Sequence, residues 1–245
     1  MEAVKEMKSL ARTKTIMLYH GSPNKVVTPT FGLGKDNHDY GRGFYLTSDK
    51  ELAKEWAWCR DNQTDGWVHT YMLDCSGLRI FDFEQISENR AIYWITELLK
   101  HRLPDLDGLN SGEPTEYRAY LYKEFDANCD GYDVVRGWRA DDSYFKVAKA
   151  VLQDRLQIQL LEEALRLGDL GIQLCCRSAK AYEHLMSCGQ VEFVPQHYAK
   201  RYQVRDLAGR EAFDRLLNSN ANKFTLQAVY LRNLVINYLE QGGTL

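Results

Sequence analysis

Two short segments hold the side chains with the clearest chemical potential. The first is Leu18-Tyr19-His20-Gly21-Ser22, and the second is Tyr40-Gly41-Arg42-Gly43-Phe44-Tyr45-Leu46-Thr47. The imidazole of His20 can donate, accept or exchange a proton near neutral pH. A glycine beside it lets a ligand approach the main chain and use its amide and carbonyl. In a strand, Phe44 and Tyr45 point to opposite faces, so one packs inward while the other can meet a ligand. Arg42 carries a guanidinium whose geometry suits phosphate, although a loop charge between two glycines reads equally well as solvated. A histidine ending a strand and a tyrosine within one also serve packing alone. The Gly-x-Gly precedes a strand rather than a helix, so it is not a dinucleotide-fold fingerprint.

Other candidates are weaker. Asp141 and Asp142 follow a buried-type strand at residues 132–137. They read either as a helix N-cap pair or as carboxylates that orient a substrate or accept a proton. Glu192 is a further acid near the end of the pattern. Trp56, Trp58 and Trp67 suit a core. The stretch His197-Tyr198-Ala199-Lys200-Arg201-Tyr202 reads as a solvated surface or as a face for stacking on nucleic acid. No nucleophile elbow, HExxH or Walker-type loop is present. The six cysteines form no CxxC pair and no Cys/His cluster with zinc spacing, so no metal is expected.

The elements that must position these residues follow from patterning. Strands are expected at 15–19, 43–47, 67–73, 78–83, 132–137 and 171–177. Helices are expected at 50–59 with Ser48-Asp49 as cap, and at 88–101 with Ser87 as cap. Further helices are expected at 116–127, 144–167 and 179–186, the last capped by Ser178, and at 205–217 and 225–240. The order is neither regular β-α-β alternation nor all-β. It predicts an α+β fold, a split mixed sheet with flanking helices and a C-terminal helical tail. The expected organisation is a lead-in over 1–14, one domain over 15–195 and a helical extension over 196–245. Apolar residues in that extension (Leu226, Val229, Tyr230, Leu234, Ile236, Leu239) should pack on the fold or on a protein partner.

With 245 residues, 44% of them apolar and 27% charged, the chain can bury a sizeable core. A net charge of −3 gives no global case for nucleic acid or membrane. Dispersed thiols, no apolar leader and no 18-residue apolar run make a cytoplasmic protein the expectation.

The two opening segments, with Trp56 eleven residues beyond Tyr45, resemble the histidine–tyrosine class of ADP-ribosyltransferases, which includes diphtheria toxin and the poly-ADP-ribose polymerases. A closer resemblance is to the bacterial family known as domain of unknown function 3990. It rests on those segments, on Tyr132-Asp133-Val134-Val135-Arg136-Gly137 with Ala140-Asp141-Asp142, and on the late strand beginning Ile172-Gln173 followed by Ser178-Ala179-Lys180-Ala181. It covers roughly residues 15–193.

The resemblance implies NAD as substrate. Tyr45 and Trp56 would sandwich the nicotinamide, Gly21 would meet its amide, and His20 with Ser22 would hold the adenosine ribose. Gly43 and Arg42 would stand by the dinucleotide, Arg42 at its pyrophosphate. In active members of the wider class a late-strand glutamate bonds the ribose next to nicotinamide. Here Gln173 stands at that position, so it keeps the hydrogen bond but brings no negative charge. Either activity is restricted, or another carboxylate serves, with Asp141 or Asp142 as stand-ins. The implied activity is mono-ADP-ribosyl transfer to a protein or nucleic-acid acceptor, with NAD hydrolysis as a side reaction and a toxin-like role among those open. The alternative is a catalytically weak NAD-binding or ADP-ribose-binding or interaction module of the same fold.

Overall fold

The structure is a computed structural model that describes residues 14–59, 64–102, 115–140, 142–221 and 228–245. It is α+β, with two sheets and, among the described residues, eight α-helices. The chain divides into two compact units. The first comprises Met1–Glu88, Asn128–Arg139 and Leu170–Arg205, and the second comprises Asn89–Ala127, Ala140–Asp169 and Asp206–Leu245. This differs from the expected division into one domain and a tail. The segment Asp206–Leu245 groups with the helical segments Asn89–Ala127 and Ala140–Asp169.

The first unit holds both sheets. Strand β1 (Thr15–Ser22) pairs antiparallel with β3 (Trp67–Asp74), which pairs antiparallel with β7 (Leu185–Phe193). The second sheet runs β2 (Phe44–Leu46), β6 (Ile172–Cys176), β5 (Val134–Trp138), β4 (Ile80–Asp82), with β4 and β5 parallel. Strands β1 and β2 are joined by one bridge, Tyr19 to Thr47, through hydrogen bonds of 2.8 and 2.9 Å. Beyond that bridge no ladder connects them among the described residues.

Alternation decides what the two faces carry. Leu18, Leu46, Leu73, Leu174 and Cys176 are buried with Tyr71 and Val134 on one face, where Ala181 of helix α6 (Ala179–Glu183) covers them. Each fully buried leucine contributes about 1.5–3 kcal/mol, so Leu18→Ala should cost about 2–5 kcal/mol. On the reverse of β1 and β3, Val68 meets Ala53, Ala57, Trp58, Val194 and Tyr198. Ala53 lies on helix α1 (Lys50–Trp56), and Asp49 starts that helix by accepting from the amides of Glu51 and Leu52.

The second unit is helical: α2 (Arg90–Arg102), α3 (Thr115–Glu124), α4 (Asp142–Leu152), α5 (Leu161–Arg166) and α8 (Leu231–Glu240). Helix α7 (His197–Ala221) begins in the first unit and continues into this one. Trp94, Leu98, Leu121, Leu161 and Leu231 are among its buried residues. The single helix expected over 144–167 is broken into α4 and α5. Asp154 takes a left-handed φ of 53°, and its carboxylate accepts from the Tyr117 hydroxyl at 2.5 Å and the Arg232 amide at 3.0 Å. In α8 the buried residues are Leu231 and Val235, while Ile236 and Leu239 of the expected stripe are exposed and Leu226 lies outside the described residues. Strand β7 was not expected at all.

Candidate functional site

The candidate site lies where β1 and β2 part. His20 ends the shared stretch, and its Nδ1 is 2.8 Å from the carbonyl oxygen of Tyr45. A carbonyl can only accept, so Nδ1 donates and the tautomer is fixed. The imidazole stacks on Phe44 at 4.5 Å, and its register partner His69 is 6.3 Å away. His69 is buried, bonds the Asn24 carbonyl at 3.0 Å, and burial lowers its pKa. Alternation along 67–73 sets only the face His69 takes; the register that puts it opposite His20 is a property of the fold.

Tyr45 reaches the opposite face from Phe44, so its phenol and the His20 ring do not meet across the split. They are linked through the Tyr45 main chain. The Tyr45 hydroxyl donates to the Gly41 carbonyl at 2.6 Å and accepts from the Tyr40 amide at 3.0 Å. Burial, then the neighbouring Cys175 and Asp39, hold its pKa well above the ordinary phenol value. Its ring lies 5.4 Å from that of His38 and 6.5 Å from that of Tyr40.

Gln173 shares this face. Tyr45 pairs with Cys175, and Gln173 lies two residues along the same strand, opposite Gly137. Gln173 is 3% exposed and Asp39 5%. Nε2 of Gln173 donates to Oδ2 of Asp39 at 2.7 Å and to the Trp138 carbonyl at 3.2 Å. That same carbonyl accepts the Tyr40 hydroxyl at 2.7 Å. A Cβ on Gly137 would fall 2.3 Å from the Tyr40 oxygen, so the glycine is required for Asp39-Tyr40 to lie on the sheet. In the sequence Asp39 sits in a loop, and nothing local marks it as a partner for a residue 134 positions away.

The remaining expected residues have other surroundings. A Cβ on Gly21 would lie 2.0 Å from the Ala53 carbonyl, and one on Gly43 2.3 Å from the Cys175 sulfur. Both glycines are thus required by close packing on their Cβ side. The Ser22 hydroxyl is buried and accepts from the Asn24 amide. Arg42 is exposed and grips Asp36 through two bonds of 2.9 and 2.7 Å, with a third to the Gly32 carbonyl. Asp36 raises its already high pKa. Trp56 is 8% exposed, and the guanidinium of Arg139 lies 4.5 Å from its ring. Asp141 lies outside the described residues, and Asp142 is the first residue of α4 in the second unit. Glu192 is engaged by Lys50 at 2.6 Å and Lys54 at 3.3 Å. His197 and Tyr198 open helix α7, where Tyr198 is buried and bonds Glu51.

Among the described residues no group of three or more His, Cys, Asp or Glu is placed to hold a metal ion, and no helix is long and apolar enough to cross a membrane. The family model described as protein of unknown function (DUF3990) matches residues 16–186, well over half the chain, and the chain belongs to that family. No curated protein and no solved structure matches it.

Proposed function

We propose that the protein is an NAD-dependent mono-ADP-ribosyltransferase that breaks the nicotinamide–ribose bond. The observation that supports this most is the meeting of residues far apart in sequence. Tyr45 and Gln173 share one face of the second sheet, Gln173 two residues from the strand partner of Tyr45, while the His20 ring lies by Phe44 on the other face and is tied to the pair through the Tyr45 main-chain carbonyl. In this reading His20 and Ser22 engage the adenosine ribose and Gln173 orients the reacting ribose. As the bond breaks, its electron pair leaves with nicotinamide. The acceptor oxygen then joins the ribose carbon, and its proton passes to solvent. The acceptor is a protein or a nucleic acid. Arg42 reaches a pyrophosphate by exchanging its contact with Asp36, and Trp56 offers a ring face to nicotinamide only if Arg139 withdraws.

Those two occupied side chains, with a neutral amide at position 173, favour a second reading: a module of the same fold that binds NAD or ADP-ribose without turnover. One assay separates them. Purified protein is incubated with NAD, and released nicotinamide is quantified alongside equilibrium binding of NAD. The enzyme reading expects release that falls at least about tenfold in His20→Ala and Gln173→Ala variants that still melt cooperatively. Saturable binding with no release supports the module. Release that neither variant lowers rejects the assigned site.

A further inference from the structure

We propose that Asp39 and Gln173 together replace a single catalytic carboxylate, Asp39 acting as the positioning residue that supplies negative charge through the Gln173 amide. The proposal rests on the transferase reading above and concerns how that site stabilises a cationic transition state. Both nitrogen-bound protons of Gln173 are committed, one to Asp39 and one to the Trp138 carbonyl. Both partners are acceptors, so the amide cannot flip without setting oxygen against oxygen. Oε1 is therefore the atom that Gln173 has left to offer, and it makes no hydrogen bond among the described residues. It is an acceptor, as a glutamate oxygen would be, and can accept a hydrogen bond from a hydroxyl of a bound ribose.

The difference between an amide and a carboxylate is charge, and Asp39 addresses it. A hydrogen bond from an amide N–H to a carboxylate is charge-assisted and roughly twice as strong as a neutral one. Donation to an anion also polarises the amide, making its oxygen a better acceptor, and this effect grows in a poorly solvated setting. Both side chains are almost fully buried, so water does little to screen the pair. The Asp39 backbone is anchored beside Tyr40, whose ring lies 5.8 Å from Phe83 and whose hydroxyl bonds the Trp138 carbonyl. The carboxylate is thus held on the face that carries Gln173 and Tyr45.

The test is steady-state NAD cleavage, with water as acceptor, by the wild type, Asp39→Asn, and the double variant Asp39→Asn/Gln173→Glu. Asparagine can still accept from Gln173, so Asp39→Asn removes charge while keeping shape; a thermal melt checks the fold. The expected result is a fall in kcat of roughly tenfold or more with KM changed less than about threefold. The double variant returns a carboxylate to position 173 and should regain part of kcat, which a purely structural role for Asp39 does not predict. Wild-type kcat in Asp39→Asn, with His20→Ala still impaired, overturns the proposal and leaves the transferase reading standing. If Asp39→Asn fails to fold, a folded double variant with no measurable cleavage overturns it too. A wild type that releases no nicotinamide removes the transferase reading and this proposal together.

Discussion

The Nδ1 of His20 donates to the carbonyl of Tyr45 across the point where two sheets part, at 2.8 Å. The ladder bonds between β1 and β2 end one residue earlier, at Tyr19 and Thr47. An imidazole side chain thus takes over from the main chain in holding the strands together. His20→Ala removes this bond and the stack on Phe44. The hydrogen bond is worth about 0.5–1.5 kcal/mol, and the ring stack about as much again. A loss of about 1–3 kcal/mol is expected in urea unfolding, with the slope m unchanged. A loss under about 0.3 kcal/mol would show that the strands are held by other means.

Tyr45→Phe keeps the aromatic ring and removes its hydroxyl. The Gly41 carbonyl then loses a donor and the Tyr40 amide loses an acceptor. Leaving buried polar groups without partners costs about 1–3 kcal/mol. Nicotinamide or NAD affinity, if it depends on the ring face, should change by less than about threefold while the melting temperature falls. Titration calorimetry and thermal melts together check this. A variant that melts with the wild type would contradict the hydrogen-bond assignment.

Gly21→Ala and Gly43→Ala test whether these glycines serve packing. The new methyl would sit 2.0 Å from the Ala53 carbonyl in the first case and 2.3 Å from the Cys175 sulfur in the second. Main chain cannot yield as a flexible side chain does, and Gly21 faces two main-chain atoms at 2.0 and 2.6 Å while Gly43 faces one, the Cys176 carbonyl at 2.7 Å, so Gly21→Ala should be the more damaging. A cost of about 1–3 kcal/mol or more is expected from overpacking, measured as a drop in melting temperature in protein carrying no ligand. A fully stable Gly21→Ala with weakened NAD binding would instead point to the ligand-approach role read from the sequence.

Alkaline pH should destabilise the first unit. Burial raises the thiol of Cys175 from 9.0 to about 12, raises the Tyr71 phenol from 10.0 to about 12, and holds Tyr45 well above the ordinary phenol value. These acids stay protonated in the folded chain, whereas the unfolded chain ionises them near pH 9–10. Their contribution is complete below the unfolded pKa values and is lost as pH rises from about 9 toward 12. Melting temperature should therefore fall over that window, and Cys175→Ala should make the decline shallower. A flat profile from pH 9 to 11 would refute the buried-thiol part of this account.

Legibility varied with the kind of force involved. Helix α1 could be read because its N-cap and its Ala53/Ala57 spacing are local signals. Strands β1 and β2 could be read because β-formers end at glycines. Strand β7 could not: it is exposed along most of its length, and Ser187, Cys188, Gly189 and Gln190 give it little apolar alternation. It exists because β3 offers it a ladder. The break at Asp154 depends on Tyr117 and Arg232, both remote in sequence.

The sequence by itself determined the α+β class, the membership of His20 and Tyr45 in strands, and the absence of a glutamate at position 173, since composition, alternation and residue type are properties of short windows. Only the tertiary structure decided that His20 meets the main chain of Tyr45 rather than its phenol, that Arg139 covers Trp56, and that Asp39 stands beside Gln173. Hydrogen bonds and ring contacts between distant residues depend on strand register and sheet face. Those are fixed only when the whole core closes.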